Sequence, residues 1–228
     1  MFFIKIGLFK IMDINMGNKI IGLAGFKGSG KDTLAGFLVG MGFVKDSFAK
    51  SIKDVLSIVF SWDRDKLEGL TVEDREWREI PDTWWEEKLD WKNNKWSTFY
   101  KRFTPRVAMT CIGTEIFRNE FSDEIWKLSL ERRITRYDNV VITDVRFPNE
   151  IKLIKENNGK LIRIKRGPEP FWFQDAIKAA KGDEDSIIKM TELGIHPSEY
   201  LWLAYTFDAT IENDTSPEKM LIDLKSII

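Results

Sequence analysis

Short uninterrupted apolar runs alternate along this chain with segments whose apolar residues recur every three or four positions. The first kind suits strands buried on both faces, the second amphipathic helices. Ile20-Ile21-Gly22-Leu23-Ala24 predicts a strand over 19–24, and the pattern after it a helix over 31–40 that ends near Gly40 and Gly42. A short strand is expected over 43–48. Ile52, Val55, Leu56, Val59 and Phe60 then fall at helical spacing and predict a helix over 49–60. Pro105 opens a helix carrying Val107, Ala108, Cys111 and Ile112, expected to stop at Gly113-Thr114, with another helix over 115–134. Asn139 to Ile142 predict a buried parallel strand, with Asp144 at its carboxyl end. A helix over 148–158, a strand over 160–164, a last strand at 209–211 and a helix from Pro217 through Ile227 complete the pattern. Strands alternating with helices give an α/β class, a three-layer sandwich on a mainly parallel sheet.

Two stretches break the rhythm. Residues 61–104 hold Trp62, Trp77, Trp84, Trp85, Trp91 and Trp96 amid dense mixed charge and read as a helical insert whose tryptophans pack on one another. Residues 167–205, punctuated by Pro168, Pro170, Gly182, Gly194 and Pro197, read as a lid-like insert. Residues 1–16 read as an N-terminal extension, because Lys5 and Lys10 interrupt an apolar run too short to span a bilayer. The expected organisation is therefore one domain over 17–228, with inserts at 61–104 and 167–205.

Chemistry concentrates first in Gly25-Phe26-Lys27-Gly28-Ser29-Gly30-Lys31-Asp32-Thr33, between a predicted strand and a predicted helix. That context makes it a phosphate-binding loop: the glycines let backbone N–H groups turn inward, the helix adds its N-terminal dipole, and Lys31 adds a mobile cation. Asp32 stands where this motif usually has the Ser or Thr that reaches magnesium, and Thr33 comes one residue later. Charge is nearly balanced, 35 basic against 36 acidic residues, so no overall field recruits nucleic acid. One cysteine, Cys111, and one histidine, His196, argue against a disulfide framework or a cysteine- or histidine-based zinc site. A soluble, cytoplasmic protein without a membrane partner is expected.

Several segments, in order, resemble phage-type deoxynucleoside monophosphate kinases of the P-loop nucleoside monophosphate kinase group. They are Gly25 to Thr33; Phe48-Ala49-Lys50-Ser51-Ile52-Lys53-Asp54; Arg106 with Gly113-Thr114-Glu115; Trp126; Thr143-Asp144-Val145-Arg146 with Asn149-Glu150; Arg163-Ile164-Lys165-Arg166; His196-Pro197-Ser198-Glu199; and Asn213-Asp214. The resemblance covers most of residues 19–225 and implies a P-loop sandwich with helical monophosphate-binding and lid inserts. It implies ATP with Mg²⁺ on Gly28, Ser29, Gly30, Lys31, Asp32 and Thr33, with Thr33 or Asp32 organising the metal, if need be through water. Asn213 is expected near the donor adenine, and Arg163 or Arg166 on the lid side. The acceptor, a (deoxy)nucleoside monophosphate, is expected on Lys53 and Arg106, with Gly113, Thr114 and Trp126 near its sugar or base. Arg146 would bridge the two phosphates while Asp144 organises metal-bound water or activates the acceptor. Lys31, Asp144, Arg146 and Arg106 are thus the catalytic candidates; a homodimer is left open by the sequence.

Each candidate has a plainer reading. Lys53 and Arg106 suit solvated helix charges, Asp144 and Arg146 an ion pair at a strand end, and Trp126 a core position. Another small-molecule kinase of the group, phosphomevalonate- or adenylate-kinase-like, would keep the loop and change the acceptor pocket. A nucleic-acid-linked P-loop ATPase would instead need a basic groove.

Overall fold

The computed structural model describes residues 19–214 and 216–228; the stretch 1–16 lies outside them. Among the described residues, five strands form one parallel sheet: β1 (Lys19–Ala24), β2 (Val44–Asp46), β3 (Asn139–Ile142), β4 (Lys160–Lys165) and β5 (Ala209–Glu212). Their order is β2-β3-β1-β4-β5, so β1 lies at the centre. It pairs Ile20 with Val140 on one side and Leu23 with Ile162 on the other. Both neighbours of β1 come from much later in the chain, and the strand order reverses beside it. In open parallel sheets such a reversal opens a crevice at the carboxyl ends of the strands.

The two faces of β1 separate by the two-residue period of a strand. Ile21 and Leu23 pack with Leu34, Ala35 and Leu38 of α1 (Lys31–Gly40) and with Met220 and Leu224 of α11 (Pro217–Ile227). Ile20 and Ala24 face the opposite layer. There they join Leu130 of α7 (Ile125–Ile134), Ile151 and Ile154 of α8 (Pro148–Glu156) and Ala176 of α9 (Phe173–Ala180). Three layers result, as the alternating pattern predicts.

α2 (Lys50–Phe60) leads into α3 (Arg64–Glu68), α4 (Val72–Trp77), α5 (Thr83–Lys88) and two short 3-10 turns. This insert has its own apolar cluster: Phe60, Trp62, Leu67, Trp91 and Phe103 are buried, and Trp77, Trp85 and Trp96 pack against them. Phe60 stacks on Trp62 with ring centroids 4.5 Å apart. Trp84 is the exception and stays more than half exposed.

The chain departs from the sequence reading after Pro105. α6 (Pro105–Thr110) does not stop at Gly113 but continues in the wider π-helical form over Cys111–Phe121. Gly113 serves close approach, not termination: a Cβ there would lie 2.9 Å from Cδ1 of Ile52 on α2. The break comes instead at the extended Ser122. Residues 167–205 contain α9, α10 (Glu184–Glu192) and 3-10 turns at Pro197–Glu199 and Leu201–Ala204. No helix among the described residues is long and apolar enough to cross a membrane.

Candidate active site

The loop between β1 and α1 is shaped by glycines at backbone angles that side chains resist. Gly25, Gly28 and Gly30 have φ of 149°, 79° and 102°. At Gly30 the approach is also close, because a Cβ would lie 2.2 Å from Nδ2 of Asn213. That amide donates to the Ser29 carbonyl at 2.9 Å. Asn213 therefore braces the loop from the β5 side. The Ser29 hydroxyl is buried and has no hydrogen-bond partner among the described residues. Lys31 curls back over the loop, its Nζ donating to the carbonyls of Gly25 (2.8 Å) and Phe26 (2.9 Å). Burial, with the Arg146 charge second, lowers its pKa to about 8.

Asp32 and Thr33 separate. The Asp32 carboxylate is 77% exposed and pairs with Lys45 of β2 at 2.7 Å. Thr33 is exposed on the first turn of α1.

At the end of β3, Asp144 accepts from the backbone N–H groups of Phe48 and Ala49, both at 2.9 Å. Burial raises its pKa against the pull of those amides and of Lys53. The Arg146 N–H donates to Glu150 at 2.7 Å, and Phe147 N–H to the same oxygen at 3.1 Å. Glu150 is itself buried and ion-paired with buried Arg118; burial pushes its pKa up to about 7. The Arg146 side chain reaches the lid-like segment, pairing with Glu199 and donating to Ser198 Oγ at 3.3 Å. Lys31, Asp144, Arg146 and Glu199 thus form one electrostatic cluster, in which Arg146, Glu199 and Asp144 all act on Lys31.

On the insert side, Lys53 is buried to 8% exposure and pairs with Glu68 at 2.8 Å, which excludes a solvated helix charge. Arg106 is further out, its Nε on Glu79 at 3.1 Å. Arg78, not singled out from the sequence, is buried over Gly69 with an unpartnered Nε. Burial and the neighbouring Arg106 lower its pKa to about 10. Gly113 is buried and Thr114 half-buried on the π-helical segment. Trp126 belongs to the core: it is 4% exposed, and its indole N–H donates to the Gly113 carbonyl at 2.7 Å.

A pocket of about 220 Å³ lies beside the loop, lined by Phe26, Lys27, Gly28, Ser29, Lys165 and Arg166 among others. Of the two lid-side arginines, Arg166 lines it. Arg163 does not, because its guanidinium pairs with Glu169 at 2.5 Å and lies over Phe173 and Trp202. Sequence reasoning also missed the structural parts played by Glu199, Glu68, Arg118 and Arg133. Arg133 clasps both Asp46 oxygens, Ser51 and the Ser47 carbonyl.

Comparison with known proteins gives two curated relatives and a looser structural likeness. The chain is 31% identical over 162 residues to a protein of Acanthamoeba polyphaga mimivirus named "Putative deoxynucleotide monophosphate kinase", covering 64% of this chain and 74% of that one. It is 28% identical over 183 residues to the deoxynucleoside-5'-monophosphate kinase of Escherichia phage T5, covering 61% and 72%. Dephospho-CoA kinase from Campylobacter jejuni superposes with a TM-score of 0.42 at 18% identity, over 92% of this chain and 97% of that one, too loosely to bear on function. No family model matches the chain.

Proposed function

Because this chain belongs to the deoxynucleoside monophosphate kinase family, and so is a nucleotide phosphotransferase, we propose how its residues divide the reaction. The observation that carries the reading is the loop at the carboxyl end of β1, with three glycines at positive φ, a buried Ser29 hydroxyl and Lys31 folded over it. Lys31 and Arg146 carry like charges that a polyphosphate would offset.

The donor is ATP, seated on the amides of Gly28 to Thr33. The fit rests on the positive-φ glycines, the buried unpartnered Ser29 hydroxyl and the N-terminus of α1. When bound, Mg²⁺ neutralises charge on the donor phosphates, and exposed Thr33 is the residue of this chain that would reach it. Lys31 exchanges the Gly25 and Phe26 carbonyls for phosphate oxygens. Arg146 presents a planar fork to the transferring group. Asp144, with its raised pKa, holds or accepts a proton from the acceptor.

The acceptor is a (deoxy)nucleoside monophosphate on the insert side, its phosphate drawn by Lys53 and Arg106, with Arg78 behind them. Residues 61–104 act as the acceptor-side insert and 167–205 as the lid. Phosphoryl transfer needs positioning, charge neutralisation and exclusion of water more than covalent chemistry, and this arrangement supplies the first two.

The test is ADP formation by the purified protein with ATP and Mg²⁺ across a panel of deoxy- and ribonucleoside monophosphates and phosphomevalonate. Acceleration by one or more deoxynucleoside monophosphates is expected. Acceleration by phosphomevalonate alone, or by single-stranded DNA alone when that is added in a parallel arm, would overturn the acceptor assignment.

A further inference from the structure

The guanidinium of Arg146 is gripped on one side only. Nη1 meets Glu199 and Ser198 Oγ, while Nε and Nη2 have no protein acceptor among the described residues. The grip is rigid, because Glu199 ends a 3-10 turn whose carbonyl accepts the Trp202 indole N–H at 2.9 Å. Trp202 is buried to 2% exposure and packs edge-on against Phe26 of the phosphate loop, ring centroids 5.1 Å apart. The turn is thus keyed to the same loop that Arg146 serves.

Ser198 is braced in turn. Its backbone N–H donates to His196 Nδ1 at 3.2 Å, which makes that nitrogen the acceptor and puts the ring proton on Nε2. Ser198 Oγ, 2.8 Å from the same Nδ1, then donates to it and is left with lone pairs for Arg146. His196 Nε2 faces Glu115 of the π-helical segment at 3.8 Å. A directional chain results: Arg146 to Ser198, Ser198 to His196, His196 towards Glu115.

We propose that Glu199 and Ser198, backed by His196 and Glu115, are positioning residues that pin one edge of Arg146 and turn its free edge to the transferring phosphate. The inference rests on the kinase reading above. Two residues of the lid-like segment thereby act in catalysis without touching the nucleotide. Glu199 is also among the charges that favour the cationic form of Lys31 against its burial and Arg146.

Glu199→Gln and Ser198→Ala test it in steady-state kinetics with ATP, Mg²⁺ and the best acceptor from the panel. A displaced guanidinium lowers kcat by about tenfold or more, with KM for both substrates within about threefold. The deciding measurement is the cycle with Arg146→Ala. If Glu199 acts through Arg146, Glu199→Gln slows that variant by less than about twofold. An equal slowing in both backgrounds, or an unchanged kcat in the wild-type background, overturns the proposal. Ser198→Ala removes one hydroxyl and guards against loss of fold; a full kcat in this variant removes Ser198 from the chain. Wild-type protein that turns over no monophosphate would instead refute the kinase reading itself.

Discussion

The pKa of Lys31 gives the affinity for ATP a pH dependence that most phosphate-binding lysines would not show. Its ordinary value is 10.5, and burial with Arg146 brings it to about 8 in the unliganded protein. A bound polyphosphate restores the cationic form, so binding takes up a proton wherever the free lysine is neutral. At pH 7 nearly every molecule already carries that proton; at pH 9 only about one in eleven does. The apparent Kd for ATP should therefore rise about tenfold from pH 7 to pH 9, roughly 1.4 kcal/mol. Below about pH 7 the affinity should be flat with respect to this group. Isothermal titration calorimetry with Mg²⁺ and a non-hydrolysable ATP analogue reads both the Kd and the proton uptake, the latter from buffers of different ionisation enthalpy. Lys31→Arg stays charged throughout and should flatten the profile whatever its absolute affinity. A wild-type Kd constant from pH 7 to pH 9 would refute the argument, because a lysine at its ordinary value binds no extra proton there.

Two further outcomes follow from the residues around the loop. Arg118→Met leaves Glu150 buried without its cation and should cost about 3–5 kcal/mol in urea unfolding at pH 7.5. The deficit should shrink at pH 5: Glu150 has a folded pKa raised from 4.5 to about 7, so its burial penalty is absent below 4.5 and grows as pH rises towards 7. An equal deficit at both pH values would show that Glu150 is not the group left stranded. Trp126→Phe removes the donor to the Gly113 carbonyl and should cost about 1–3 kcal/mol of stability with the acceptor KM within about twofold. A tenfold rise in that KM without loss of stability would return Trp126 to the substrate pocket.

Features encoded locally were legible in the sequence. The apolar run before Gly25 and the helical spacing after Lys31 located β1, the loop and α1 as observed. The same holds for β4, β5 and α11, whose boundaries fall within a residue or two of those expected. Gly113 misled because a glycine that ends a helix and one that admits a neighbouring side chain look alike until Ile52 is in place. Asp32 carries a contact the sequence does not signal, to Lys45, which β2 brings alongside it. The Arg146–Glu199 pair joins residues 53 positions apart, and no periodicity signals such a contact. The loop's identity was local information. Its electrostatic partners are a product of the sheet order.

The grip on Asp144 has a mechanical side. Its two oxygens hold the amides of Phe48 and Ala49, immediately before α2, and Arg133 clasps Asp46, Ser47 and Ser51 at the same point. α2 is therefore riveted to the sheet at its first turn, while its far end leads into the tryptophan-lined insert. The Asp144 carboxylate thus ties the start of the helix that leads into the insert directly to the sheet.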